Sequence, residues 1–273
     1  MRIGTNYNAP HTSAEEWALK MKELGAEAIA FPTDYTAPVE KIDAYVRAAE
    51  AADLLIAEVG VWNSPFHPDP EVAAKAYTRL KGQLELADYI RARCCVNVSG
   101  AVGDVWFALY RDNFSQSHYD ELIRLVQKLL DEVKPQNTFF TLESMQWMPP
   151  DSPEQYAQII RDVNRPGFAA HMDMCNFIKD PYLYTHQDEL LNRCMKELAP
   201  YVRSCHFKDC AMEPGLTVAI HEVPAGTGEM ILQDYVRALN TLDPDMPLLS
   251  EHLKTQEQYV AAMNLAKQLR SNL

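Results

Sequence analysis

Residues 138–174, TFFTLESMQWMPPDSPEQYAQIIRDVNRPGFAAHMDM, hold one complete strand–helix–strand unit. TFFTLES (138–144) is a short apolar run that ends in a carboxylate, Glu143. Ser152-Pro153-Glu154-Gln155 then forms a capping box, with proline suited to the first turn, and predicts a helix over 152–163. FAAHMDM (168–174) is a second apolar run, ending in Asp173. Strands that read as near-continuous apolar runs are buried on both faces. When a helix joins them, they pair in parallel through a right-handed crossover.

The same unit repeats in both directions from this stretch, as architecture without repeated sequence. Upstream, strands are predicted at RIGTNY (2–7), AEAIAFP (26–32), LLIAEVG (54–60) and CVNVSGA (95–101), with helices over 13–24, 39–52, 70–89 and 119–133. Downstream, VRSCHFKD (202–209) and MPLLSEHL (246–253) are strands, and helices fall over 189–198, 231–242 and 255–269. Eight strands alternating with eight helices predict a closed (β/α)8 TIM barrel, a single domain over residues 1–273, with its active site at the C-terminal ends of the strands. An open doubly wound sheet would bring a glycine-rich phosphate loop after an early strand. Gly4 and Gly25 stand alone, and Gly226-Thr227-Gly228 lies late, between strand seven and its helix. No linker rich in Pro, Gly or Ser divides the chain. Many of the 17 prolines sit in strand-to-helix loops, as in NSPFHPDP (63–70) and MPPDSP (148–153), and stiffen loops over a pocket.

Composition removes several function classes. The 273 residues are 47% hydrophobic and 23% charged, the profile of a globular protein. A net charge of −13 argues against a general nucleic-acid binder, which needs a basic footprint to displace counterions. No apolar run approaches a membrane span, and the N-terminus lacks a basic stretch followed by an apolar one, so a cytoplasmic location is expected. Six cysteines without a CxxC pair are expected to be reduced and mostly buried.

Four side chains able to bind a metal stand near the ends of four separate strands: Glu143, Asp173, His206 and Glu251. A packed strand has no use for charge there, because an unpaired buried carboxylate costs several kcal/mol or takes up a proton. Four in similar positions point to a metal site. Alternation puts His171 on the face of Asp173, and Lys208 on that of His206. His171 is therefore a candidate substrate contact, and Lys208 a substrate cation or a partner for Glu222. Asp209 is read as a tie for its loop. Asn6 and Tyr7 end strand one, and Trp62, Asn63 and His67 follow strand three. An aromatic plane and amides in such loops suit the wall of a sugar pocket. Trp106, Phe107 and Tyr110 form an aromatic insertion after strand four, read as a lid or a subunit contact.

TLESMQWM, HMDMCNF, SCHFKD, HEVPAGTGEM and LLSEHL together resemble the metal-site pattern of the xylose isomerase-like TIM-barrel superfamily, in particular its sugar phosphate isomerase/epimerase group. The resemblance covers the whole chain. It implies that Glu143, Asp173, His206 and Glu251 hold one divalent cation. Three carboxylates and an imidazole suit Mn²⁺ first, then Mg²⁺ or Co²⁺, with Zn²⁺ a further candidate. It further implies that Glu143 and Glu251 form a catalytic acid/base pair on either side of an enediolate. Asn176 and Glu222 enter as candidate substrate contacts.

The chain departs from the ketose 3-epimerase pattern at three places. Asn176 stands where those enzymes have a histidine, Met212 where they have an arginine, and Pro149 where they have a glutamate. The expected function is a metal-dependent isomerase or epimerase of a small sugar or cyclitol with a carbonyl group. A lyase or dehydratase acting on a keto-sugar, inosose or 3-keto-glycoside is the alternative within enzymes, and an endonuclease IV-like repair enzyme a distant one. The absence of an arginine cluster favours an unphosphorylated substrate, and the aromatic loops predict a homodimer or homotetramer.

Overall fold

The computed structural model describes residues 1–273. The barrel strands are β1 (Arg2–Thr5), β2 (Ala28–Ala30), β3 (Leu55–Gly60), β4 (Cys94–Asn97), β5 (Phe140–Leu142), β6 (Phe168–Met172), β7 (Val202–Phe207) and β10 (Pro247–Ser250). Between the last two, β8 (Asp209–Glu213) and β9 (Ala219–Val223) form an antiparallel hairpin outside the barrel. The eight strands close in the order β1-β10-β7-β6-β5-β4-β3-β2, all parallel. Closure brings β1 beside both β10 and β2, in the registers Arg2↔Pro247 and Gly4↔Ala28. A Cβ on Gly4 would lie 1.9 Å from the Ala28 carbonyl oxygen, so this contact admits glycine alone.

The helices are α1 (Ala14–Glu23), α2 (Val39–Ala51), α3 (Pro70–Tyr89), α4 (Gln116–Val133), α5 (Pro153–Val163), α6 (Pro181–Thr185), α7 (Gln187–Leu198), α8 (Leu232–Leu239) and α9 (Gln256–Ser271). The sequence-predicted count of eight strands and eight helices is thus corrected to ten and nine. The hairpin escapes detection because its strands are mostly half-buried and carry no apolar run, while Pro and Gly around them read as loop. An extra helix arises because Asp180 caps a first turn at Pro181, and the chain breaks at His186 before α7 starts. Helix α4 begins at Gln116 instead of Tyr119, since Ser115 accepts a hydrogen bond from His118 N and starts it a turn early. Half of the capping box predicted at Ser152 is present: Ser152 Oγ accepts from Gln155 N, while Gln155 Oε1 reaches back past Ser152 to accept from Asp151 N.

Two buried tyrosines fix the strands that carry the candidate ligands. Tyr156 of α5 receives Leu142 N at 2.9 Å and His171 N at 3.0 Å on its hydroxyl, joining β5 to β6. Tyr235 of α8 donates to the Met172 and His206 carbonyls, joining β6 to β7. All six cysteines are free and buried. No helix is long and apolar enough to cross a membrane.

Candidate metal centre

Parallel strands deliver successive inward side chains in layers, and the layer at the C-terminal rim holds Glu143, Asp173, His206 and Glu251. All four are buried, and one ligand atom from each lies within 4.8 Å of the others. His206 Nδ1 stands 2.8 Å from Glu251 Oε1, 3.3 Å from Glu143 Oε1 and 3.5 Å from Asp173 Oδ2. Bonds of about 2.1 Å to one octahedral cation would set neighbouring ligand atoms about 3.0 Å apart, so the spacing suits a single ion.

Charge and hydrogen bonding agree with that fit. Asp173 Oδ2 and Glu251 Oε1 are buried without a hydrogen-bond donor. Their nearest cation is Lys208 Nζ, ion-paired with them at 2.9 and 2.5 Å. Glu58 adjoins His206 on its other edge, so the cluster holds four carboxylates and one ammonium, a formal excess of three negative charges while His206 is neutral. Burial alone would raise the Glu251 carboxyl and the Asp173 carboxyl, but the neighbouring His206 and Lys208 cations hold both below the usual range. Burial would also lower the His206 imidazole, and the Glu251, Glu58 and Glu143 carboxylates push it well above its ordinary value. A proton and a divalent cation compete for the Nδ1 lone pair, which the acidic surroundings favour for either.

Beneath the rim lies a second layer that sequence reasoning missed. Glu58 of β3 sits 3.0 Å from His171 Nε2 and 3.3 Å from His206 Nε2, and accepts from Ser204. His171 therefore points inward, as alternation predicts, but is fully buried one layer below the mouth, paired with Glu58. Its placement as a substrate contact is corrected on that ground. Glu58 had a visible signal: a carboxylate in the middle of an apolar strand, LLIAEVG, with no place at a strand end. His252, also unforeseen, adopts a left-handed backbone (φ 56°) after Glu251 and meets Glu222 at 3.0 Å.

The remaining candidates divide between rim and scaffold. Asn176 donates to Glu143 Oε1 at 2.8 Å, while its backbone donates to Asp173 Oδ1, so it orients two of the candidate ligands. Asn6 donates to Glu251 Oε2 at 3.0 Å, and Glu222 reaches within 4.0 Å of Lys208. Trp62 lines the mouth beside Gly60. Tyr7, Asn63 and His67 are instead turned to scaffolding, toward Gln256, the Ala76 carbonyl and the Asp69 amide. Asp209 accepts from the amides of Cys210, Gly226, Gly228 and Met230, and so ties down the loop after the hairpin.

A family model described as xylose isomerase-like TIM barrel matches residues 19–269. The chain belongs to this family. No curated protein sequence matches this family member. Among solved structures it is similar to the probable 3-DHS dehydratase AsbF from Bacillus anthracis, at TM-score 0.74 and 13% identity over 98% of this chain and 99% of that one. It is similar to D-psicose 3-epimerase from Clostridium cellulolyticum H10, at TM-score 0.72 and 11% identity over 99% of each chain. A xylose isomerase-like TIM barrel protein from Mycobacterium smegmatis, in complex with magnesium, gives TM-score 0.69 and 17% identity over 97% of this chain and 90% of that one. At these identities the likeness is one of fold, and the neighbours of this xylose isomerase-like barrel include both an epimerase and a dehydratase.

Proposed function

We propose that this barrel is a divalent-metal-dependent isomerase or epimerase of a small polyhydroxy carbonyl compound, a sugar or cyclitol. The observation that carries the reading is the convergence of three buried carboxylates and His206 Nδ1 at the barrel rim, with the single ammonium of Lys208 set among them. Glu143, Asp173, His206 and Glu251 would hold the cation, with Mn²⁺ the first candidate. When bound, it supplies polarisation of the substrate carbonyl, which makes the neighbouring C–H acidic.

The chain's own residues do the rest. Glu143 and Glu251 come from β5 and the end of β10, which are separated around the barrel by β6 and β7. One carboxylate takes the proton from carbon and the other returns one from the opposite side. Asn176 fixes Glu143 by its 2.8 Å hydrogen bond, and Asn6 fixes Glu251. Lys208, inside the carboxylate cluster, places a positive charge where negative charge develops on the substrate oxygen.

A lyase reading uses the same proton removal followed by loss of a β-substituent, and the likeness of fold to a dehydratase favours testing it. Incubation with ketoses, keto-inositols and keto-glycosides in deuterated water, with Mn²⁺ supplied, separates the two. Deuterium incorporated without loss of a group is expected. Elimination products would turn the assignment to a lyase, and no exchange with any member of the panel would end both.

A further inference from the structure

We infer that the mouth of this barrel also carries an anion-binding end, in which Arg79 and Lys41 receive a carboxylate or phosphate at the end of the substrate remote from its carbonyl. The inference rests on the function proposed above and names its substrate class. It starts from a cavity of about 600 Å³ at the ends of β1, β2 and β3, across the mouth from the ligands on β5, β6, β7 and β10. Two of its wall residues touch the metal centre directly: Glu58 meets His206, and Asn6 donates to Glu251. A molecule held at the ligands thus has this cavity open before it.

The hydrogen-bonding groups of that wall are unbalanced. Its acceptors are largely committed. Asp34 Oδ1 receives the amide and hydroxyl of Thr36, and Gln83 Oε1 receives Tyr35 N while its amide donates to the Gly60 carbonyl. Glu58 is taken by His171, Ser204 and His206. The donors are not committed to the same degree. Arg79 donates through Nε to the Val61 carbonyl and meets Asp34 only at 3.5 Å, leaving most of its fork open. Lys41 stands at the rim with no hydrogen bond or ion pair, and the first turn of α2 beside it has no side-chain cap. A neutral polyol offers donors and acceptors in similar number, whereas a carboxylate or phosphate accepts only. A donor-rich wall with two cations therefore matches an anion, and guanidinium binds such groups through paired hydrogen bonds. Asp34 opposes this charge, but its one oxygen is saturated by Thr36 and the other only loosely engages Arg79.

The test uses ligands that share one carbonyl end and differ at the other: D-fructose, D-fructuronate and D-fructose 6-phosphate, with the matching D-tagatose set. Binding to the Mn²⁺-loaded protein is followed by calorimetry, and exchange of the substrate C–H in deuterated water is followed separately. An anionic end is expected to tighten binding by about tenfold to a hundredfold, the usual worth of hydrogen bonds to a charged group. The preferred anion, carboxylate or phosphate, identifies the source. In Arg79→Met, and in Lys41→Met at the exposed rim, the ratio of anionic to neutral affinity should fall toward one. Equal affinity for the neutral and anionic members, no binding of either anion, or a preference that survives both substitutions would overturn the inference. Exchange without anion preference leaves the proposed function standing and removes this one. Anion binding that depends on Arg79 without any exchange does the reverse.

Discussion

Glu58 Oε2 lies 3.3 Å from His206 Nε2, on the side of the ring opposite the nitrogen that faces Glu143, Asp173 and Glu251. A carboxylate there holds the Nε2 proton and leaves Nδ1 as the lone-pair donor, which both sets the tautomer and raises ligand basicity. Glu58→Gln keeps the shape but offers His206 a neutral partner. Metal affinity is expected to fall about tenfold to a hundredfold, the usual effect of removing such a partner. Titration of the metal-free variant with Mn²⁺ measures it; an unchanged affinity would leave Glu58 with a packing role only.

About one divalent ion per chain is expected on metal analysis, because only one set of four ligand atoms converges at the rim. Asp173→Ala and His206→Ala should each lose the ion and the activity together. Both variants also disturb the buried charge cluster, Asp173→Ala by freeing Lys208 of one partner and His206→Ala by removing the group between the carboxylates. Circular dichroism at neutral pH therefore has to show a folded barrel before metal loss is credited to the ligand. Full metal occupancy in folded variants of both kinds would remove them from the ligand set.

Much of this arrangement is legible in the sequence because strand ends carry their chemistry in short apolar runs. The alternating unit around TFFTLES and FAAHMDM, repeated along the chain to eight strands, leads to the barrel, and Glu143, Asp173, His206 and Glu251 come together at its rim. What the sequence does not reveal is depth. Alternation places His171 and His206 on inward faces alike, yet His171 lies two residues earlier on its strand than Asp173 and so falls a layer below. Glu58 belongs to that lower layer and becomes intelligible only once β3 is brought across the barrel from β6 and β7. The hairpin of β8 and β9 is hidden for another reason: it buries little apolar surface, so no hydrophobic period marks it.

The C-terminal helix is joined to the segment before β2 by an ion pair whose pH dependence is open to measurement. Arg270 of α9 donates to both Glu27 oxygens at 2.7 and 2.9 Å, and Glu27 also accepts from Ile3 N. Burial would raise the Glu27 carboxyl, and the Arg270 hydrogen bonds outweigh it and hold it below its ordinary value. A depressed folded-state pKa contributes stability above the unfolded value of about 4.3, which is lost as pH falls through the folded value. Glu27→Gln should therefore cost on the order of 1 kcal/mol at pH 7, after allowance for solvent screening, and less at pH 3. Urea midpoints at the two pH values check the sign. A cost that grows on acidification would contradict it.

The aromatic insertion after β4 leaves Val105, Phe107, Leu109 and Phe114 between 43% and 68% exposed on one loop and the turn that follows it. Large apolar side chains exposed this close together in sequence suit a contact face between copies of the chain. Sedimentation at micromolar concentration is expected to give a homodimer or homotetramer, and Phe107→Ser with Leu109→Ser to weaken it. A monomer throughout would dismiss the contact-face reading.

Chemistry can be separated from metal holding at the two glutamates. Glu143 Oε1 lies 3.3 Å from His206 Nδ1 and Glu251 Oε1 lies 2.8 Å from it, so both belong to the ligand cluster, while each is also anchored by an amide, Asn176 or Asn6. Glutamine at either position keeps the volume and one ligand oxygen but removes the basic carboxylate. Some metal binding should survive, and turnover at saturating metal should fall by about 10²–10⁴-fold, the range of general acid/base contributions, or by more. The two variants should also differ in kind. In an epimerase each carboxylate serves one face of the substrate, so one variant is expected to exchange the substrate C–H with solvent while forming no product. Near wild-type turnover in both metal-loaded variants would refute the two-glutamate mechanism and leave Lys208, within 2.9 Å of Asp173 and 2.5 Å of Glu251, as the next group to test.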